Sequence, residues 1–337
     1  MVQRQEEPLT IEKDGTVRVS DFVVPFSDLA SPEAKAAYIH AQLPPPPHRT
    51  GGAGDDIGKY RQFANDYESI PWLAKAKELY PCDVETVTLG GVSADIVTPA
   101  SGIAPENQDR ILLNFHGGGF NSGAKERALV EALPIASVGR IKVATLDYRL
   151  APEHVFPAAS EDIGNAYRAL LNNYRPENIG LFGCSAGGTL SAEAVSWLAQ
   201  EGLPRPGAIA VVCANAVRSY KGDTWYIGEE LGFGGGPGPR VRNYFDGADT
   251  HDPLVSPGES PEALAKFPPT IFITGSRDRF LSHSAYMQIQ LTKAGVEAEL
   301  FVWDGMWHGF TWVTDLPESR EAFDITTKFF ARKLGRR

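Results

Sequence analysis

The residues most suited to chemistry lie in two glycine-rich stretches. In the first, Gly183-Cys184-Ser185-Ala186-Gly187 separates a short apolar run, Asn178 to Cys184, from a helical pattern with Leu190, Ala194, Trp197 and Leu198 on one face. Gly-x-Ser-x-Gly at a strand-to-helix turn is the pattern of a nucleophile elbow. So sharp a turn holds the serine in a sparsely populated backbone region, at a cost on the order of 1–3 kcal/mol. It needs glycine on both sides, because a side chain would clash where the chain folds back on itself. The Ser185 hydroxyl would then stand exposed over a helix N-terminus, which favours developing negative charge. The plainer reading is a strand, a turn and a helix that happen to contain glycine and serine. In the second stretch, His116-Gly117-Gly118-Gly119-Phe120 follows the near-continuous apolar run Arg110–Phe115. Backbone N–H groups in a glycine run can come within ~2.7–3.1 Å of a developing oxyanion, and losing one such donor typically costs ~10²–10³ in rate. The plainer reading here is a flexible loop.

These stretches need a rigid frame, and the rest of the chain supplies its pattern. Strand signals fall at Val84–Leu89 and Ala94–Val97, split by Gly90-Gly91 as in a hairpin. Further strands are expected at Arg110–Phe115, Ile141–Leu146, Gly207–Cys213, Thr270–Thr274 and Glu299–Trp303, besides the one before Ser185. Helical patterns lie between them, at 157–173, at 282–294 before Gly295, and at the C-terminus over 320–334. Strands alternating with helices imply an α/β fold with a mostly parallel sheet covered on both sides. Ser31-Pro32-Glu33 starts a helix expected to end near Leu43, with serine as N-cap and proline at the first position. Pro44–Pro47 then predict an extended segment, and Gly51, Gly52 and Gly54 a joint. From Ile57 a helical face of Tyr60, Phe63, Ala64, Tyr67 and Ile70 appears, and Pro71 should kink or restart it. Residues 214–250 break the strand–helix alternation and read as an insertion. Their Gly232-to-Pro237 run is no dinucleotide loop: no strand leads into it, and proline stands where the third glycine belongs.

Composition narrows the function classes. The 337 residues suit one large α/β domain with an added cap, or two domains, and 42% hydrophobic content supports a sizeable core. A net charge of -10 argues against nucleic-acid or anionic-membrane partners. Cys82, Cys184 and Cys213 are odd in number and widely spaced, which fits no disulfide framework or zinc site and points to a reducing, cytoplasmic setting. The polar N-terminus lacks a signal-peptide pattern.

Taken together, the motifs resemble those of the hormone-sensitive-lipase-like (bacterial family IV) esterases, a branch of the α/β-hydrolases. The resemblance rests on six stretches that occur in the family's order: His116–Phe120, Asp147-Tyr-Arg-Leu-Ala-Pro-Glu153 with Phe156-Pro-Ala158, Gly183–Gly188, Asp252–Pro257, Gly275-Ser-Arg-Asp278 and Gly305–Phe310. It implies an eight-stranded sheet with flanking helices and a helical cap, built here from residues 1–80 and the 214–250 insertion on an 81–337 catalytic domain. It also implies hydrolysis of short- to medium-chain, often aryl, carboxylic esters, with no cofactor, no metal and a small-molecule substrate. The last strand, Glu299–Trp303, is apolar, carries no proline or lysine and should lie at the sheet's edge, so a homodimer paired through it is expected, as related esterases often form. The family usually has aspartate before the nucleophile; this chain has Cys184, so the anion beside Ser185 is missing at that position. Cys184 is expected to be a small buried residue, with a second nucleophile as the alternative.

A serine hydroxyl needs an oriented base, and in hydrolases of this type the chain order is serine, acid, histidine. His251, His283 and His308 follow Ser185. His308, after the last strand, is assigned as the base; His283 sits within a helical pattern and His251 precedes a turn. The acid is assigned to Asp278, after the preceding strand, with Asp304 as the alternative. The oxyanion donors are Ala186 and two of Gly117, Gly118 and Gly119, with Gly118 and Gly119 the first choice. Asp147, Arg149 and Asp162 are expected to form a structural ion-pair set near the elbow. An amidase or carbamate hydrolase, or a ligand-binding receptor on this fold, are the rival readings.

Overall fold

The computed structural model describes residues 10–13, 16–18, 23–42, 56–231 and 242–335. The proposed joint at 44–54 and the glycine run at 232–237 lie outside the described residues.

Eight strands form one sheet: β1 (Cys82–Leu89), β2 (Val92–Pro99), β3 (Ile111–Phe115), β4 (Lys142–Leu146), β5 (Ile179–Cys184), β6 (Ala208–Val212), β7 (Thr270–Arg277) and β8 (Ala298–Trp307). The spatial order is β8-β7-β6-β5-β3-β4-β2-β1. The β1–β2 and β2–β4 pairs are antiparallel and the remaining pairs parallel. The central strands β3, β5 and β6 are buried at every residue, which is why they read as near-continuous apolar runs rather than alternating ones. Alternate residues feed two cores. Leu113 and Phe115 face helices α5 (Ala158–Leu170), α6 (Ala186–Gln200) and α8 (Leu281–Lys293). Leu112 and Phe182 face α4 (Glu126–Gly139) and α9 (Pro317–Lys333).

Before the sheet, α1 (Pro32–Gln42) begins as expected, with Ser31 Oγ accepting from the Ala34 amide at 3.0 Å. Its start is tied to α9, since the Ser31 amide and hydroxyl both donate to the Glu318 carboxylate at 2.7 and 3.0 Å. Helix α2 (Ile57–Ala64) runs through a π turn, Asn65–Ser69, into α3 (Ile70–Leu79). The wide turn sits just ahead of Pro71, which lacks the N–H that a regular turn would use. The insertion carries α7 (Asp223–Leu231), whose Leu231 carbonyl accepts from the Tyr38 hydroxyl of α1.

Candidate active site

Strand β5 ends in the turn that its glycines permit. Ser185 has φ 56 and ψ -118, and its amide donates to the Val212 carbonyl at 2.9 Å. A Cβ on Gly187 would lie 1.7 Å from the Phe115 carbonyl oxygen, and one on Gly183 2.2 Å from the same atom. The two glycines therefore let β3 and the start of α6 press against the turn. The expected elbow is present, and Ser185 stands at its tip.

The loops after β7 and β8 bring in the other expected groups. His308 Nε2 lies 2.9 Å from Ser185 Oγ, and His308 Nδ1 lies 3.0 Å from Asp278 Oδ1. Asp278 is fully buried and also accepts from the Phe280 amide at 3.0 Å and the Thr274 hydroxyl at 2.8 Å. Burial opposes its ionisation, but the facing His308 and these donors outweigh it and hold the carboxyl below its usual value. The alternative acid, Asp304, is exposed and bonded to the Ser27 hydroxyl instead. His283 is buried against the Tyr220 carbonyl at 2.9 Å, and His251 pairs with Glu259 at 3.1 Å. Neither joins the relay.

The glycine loop divides its amides between two uses. Gly118 and Gly119 have φ 128 and 64, and among the described residues their amides find no acceptor within the protein. Ala186 opens α6, so its N–H is one of the unpaired donors of a helix start. Gly117 differs from the expectation that it could serve as a donor: its amide is committed to Glu131 Oε1 at 2.8 Å. A Cβ there would meet the Trp312 ring at 2.6 Å and the Cys184 carbonyl oxygen at 2.8 Å. His116 is buried, stacked on Tyr148 at 4.3 Å, and held neutral because burial pushes its pKa down to about 4. The Tyr148 hydroxyl in turn donates to the His116 carbonyl at 2.7 Å.

Two residues that the sequence reading passed over shape this loop. Glu131, on α4, accepts from Gly117, Trp312, Asn114 and Cys184. An acidic residue in the apolar stretch Leu-Val-Glu-Ala-Leu was the available signal. The carboxyl group that position 184 lacks is thus supplied from α4. Arg61, on α2, forms a two-pronged pair with Glu153 at 2.8 and 2.7 Å and donates to the Asn121 and Ala151 carbonyls at 2.7 and 2.9 Å. Nothing in its local sequence marks it. The expected ion-pair set is corrected in one member. Arg149 binds Asp162 at 2.9 Å and Glu161 at 2.7 Å, whereas Asp147 forms no ion pair among the described residues.

Cys184 is buried, and burial pushes its thiol up, away from the nucleophilic thiolate. Its neighbour Cys213 lies with Asp278 and His308, their donor atoms within 4.8 Å of one another. That is the one cluster of metal-ligand type among the described residues. Asp278 and His308 are already engaged with each other in it.

A serine, a histidine and a buried carboxylate in one relay, beside unpaired amides, can activate a hydroxyl for attack on a carbonyl and hold the resulting alkoxide. A family model for the α/β-hydrolase fold matches residues 112–312, more than half of the chain. The chain belongs to the α/β-hydrolase family. An acetyl-hydrolase of Streptomyces hygroscopicus is 29% identical over 74% of this chain and 83% of its own length. Esterase LipU of Mycobacterium tuberculosis is 33% identical over 66% and 78%. A crystallised esterase superimposes with TM-score 0.82 at 30% identity, covering 94% of this chain and 98% of that one. A hormone-sensitive lipase from a metagenome library gives TM-score 0.70 at 26% identity, covering 83% and 98%. This α/β-hydrolase therefore falls among esterases of the hormone-sensitive-lipase family, as its motifs implied. No described helix is long and apolar enough to cross a membrane.

Proposed function

We propose that this hydrolase is a serine carboxylesterase for short- to medium-chain carboxylic esters, aryl esters included, working through an acyl-enzyme. Ser185 attacks the ester carbonyl while His308, oriented by Asp278, takes the hydroxyl proton. The alkoxide rests on the amides of Gly118, Gly119 and Ala186. Collapse expels the alcohol, which takes the proton back from His308, and water repeats the sequence to release the acid. The observation that carries this reading is the continuous Ser185–His308–Asp278 relay at 2.9 and 3.0 Å. It also weighs against the receptor reading, since a binding protein has no need of an aligned base.

The short-acyl preference is supported by the acetyl-hydrolase relative and by an esterase neighbour crystallised and soaked with p-nitrophenyl butyrate (TM-score 0.78, 28% identity). We place residues 1–80 and 214–250 over the site as a cap. The Tyr38–Leu231 bond, which joins the two segments, supports this. A reducing, cytoplasmic setting fits the three free cysteines. Homodimerisation through β8 fits its place at the sheet's edge, with Val302 43% exposed. Light scattering on Val302→Pro beside wild type tests that interface. A monomeric wild type at micromolar concentration overturns it.

A panel of p-nitrophenyl esters from acetyl to dodecanoyl, with the matching anilides, tests the activity. The expected result is the highest kcat/KM at short to medium chains and anilide rates at least a hundredfold lower. Anilides cleaved as fast as esters would favour the amidase reading.

A further inference from the structure

We propose that Glu131 is a positioning residue for this reaction: one buried carboxylate registers the oxyanion loop, the nucleophile turn and the histidine loop against one another. The inference rests on the serine-esterase reading and adds to it a residue outside the relay.

The geometry is a four-way junction. Glu131 Oε1 accepts from the Gly117 amide at 2.8 Å and from Trp312 Nε1 at 2.9 Å. Oε2 accepts from the Cys184 amide and from Asn114 Nδ2, both at 3.2 Å. Gly117 immediately precedes the amides of Gly118 and Gly119. Cys184 immediately precedes Ser185, and Ala186 follows. Trp312 lies on the loop after His308, with ring centroids 6.1 Å apart. Three segments that arrive from separate strands therefore share one acceptor, the Glu131 side chain. Each oxygen faces two N–H groups, so the site is built for a carboxylate: a carboxylic acid would turn its proton toward a donor. Asn114 is itself fixed, since its Oδ1 accepts from the Thr145 hydroxyl at 2.7 Å. The Arg127 guanidinium lies over the Trp312 ring at 4.7 Å from its centroid.

Buried carboxylates are retained at a cost, because the charged form loses its hydration. Apolar side chains would fill this part of α4 without that cost, as Val130, Leu133 and Ile135 do nearby. What Glu131 adds is position. A misplacement of about 1 Å in a group away from the reacting atoms can lower rate ~10²-fold.

Glu131→Gln keeps the volume and removes the match. Whichever way the amide turns, its nitrogen faces a backbone N–H, that of Cys184 at the Oε2 position or that of Gly117 at the Oε1 position, and one backbone donor loses its acceptor. The expected result with p-nitrophenyl butyrate is a fall in kcat of ~10²-fold with KM within about twofold. Affinity for a trifluoromethyl ketone, whose serine adduct carries an oxyanion, should fall by the same factor as kcat/KM. Affinity for the unreactive methyl ketone of the same chain should stay unchanged. A purely structural role would move both ketones or neither. If Glu131→Gln does not fold, Trp312→Phe removes one donor and keeps the ring under Arg127, and the same ketone contrast applies at about a third to a tenth of wild-type kcat. Wild-type kcat in Glu131→Gln, or equal losses for both ketones in whichever variant folds, overturns the proposal. A small cavity of about 30 Å³ beside Cys184, lined also by Glu131 and Thr311, offers a rescue. Adding Cys184→Asp to Glu131→Gln returns a carboxylate to the junction and should recover at least tenfold in kcat. A double variant no better than Glu131→Gln contradicts the need for charge there. Ser185→Ala is run in parallel: if it stays active, the esterase reading falls. If it is inactive and Glu131→Gln is normal, only the positioning role falls.

Discussion

Replacing Asp278 with asparagine separates two contributions that are usually lost together. Asp278 Oδ1 accepts from His308 and from the Phe280 amide, while Oδ2 accepts from the Thr274 hydroxyl. An asparagine NH₂ cannot face the Phe280 N–H, so the side chain must turn its oxygen toward Phe280 and His308. Its NH₂ then meets Thr274, whose hydroxyl can accept as well as donate. The imidazole keeps its proton on Nδ1 and its free Nε2 toward Ser185. What disappears is the negative charge facing the imidazolium. At ~4 Å and an effective dielectric of ~20 that interaction is worth about 4 kcal/mol, and at ~1.36 kcal/mol per decade this is a ~10³-fold loss in kcat. The figure lies below the ~10⁴-fold cost of an imidazole forced into the wrong tautomer. Initial rates with p-nitrophenyl butyrate at neutral pH measure it, with Asp304→Asn alongside, expected within about twofold of wild type because Asp304 is exposed and bonded to Ser27. A loss under tenfold for Asp278→Asn, or a larger loss for Asp304→Asn, refutes the assignment of the acid. A loss of 10⁴ or more refutes the argument that Phe280 selects the amide's orientation.

Arg61→Ala should cost ~1–3 kcal/mol in urea unfolding, mainly through its two carbonyl partners rather than the half-exposed Glu153 pair. It should also raise KM more than it lowers kcat, because Asn121 follows the glycine loop directly; unchanged stability and KM would count against this tie. His116 gives a pH prediction. Burial lowers its pKa from 6.5 to about 4, so the unfolded chain binds a proton that the folded one refuses. Its contribution is fully present above pH 6.5 and is lost as pH falls through 4, by about 3 kcal/mol at ~1.36 kcal/mol per unit. Glu131, raised by burial to about 7, acts with the opposite sign over part of that range, so the readout is the difference between wild type and His116→Gln. That difference should shrink between pH 6.5 and 4, and a constant difference would refute the burial argument.

Most of the frame was legible because its signals are local. Near-continuous apolar runs marked β3, β5 and β6, and Gly183 and Gly187 marked a turn that steric contact with Phe115 allows no other residue to make. Chain order then placed Asp278 and His308, which the fold brings together. Glu131 and Arg61 escaped because their roles consist of partners far away in sequence. Gly117 takes its meaning from Glu131 and could not be separated from Gly118 and Gly119 by sequence alone. Asp147 and Arg149 are two residues apart, a spacing that would put both on one face of a strand, but the strand ends at Leu146 and Arg149 turns to Asp162 and Glu161 on the following helix instead. The π turn before Pro71 shows the same limit: proline marks where a helix must adjust but not how.

The central claim is that Ser185 carries the acyl group. Incubation with a fluorophosphonate, followed by intact-mass and peptide analysis, should show one adduct, on Ser185, formed in step with the loss of esterase activity. Ser185→Ala should fold normally, take up no label and hydrolyse p-nitrophenyl butyrate at least 10⁴-fold more slowly than wild type. Label on Cys184, or substantial turnover by a clean Ser185→Ala preparation, would contradict the mechanism.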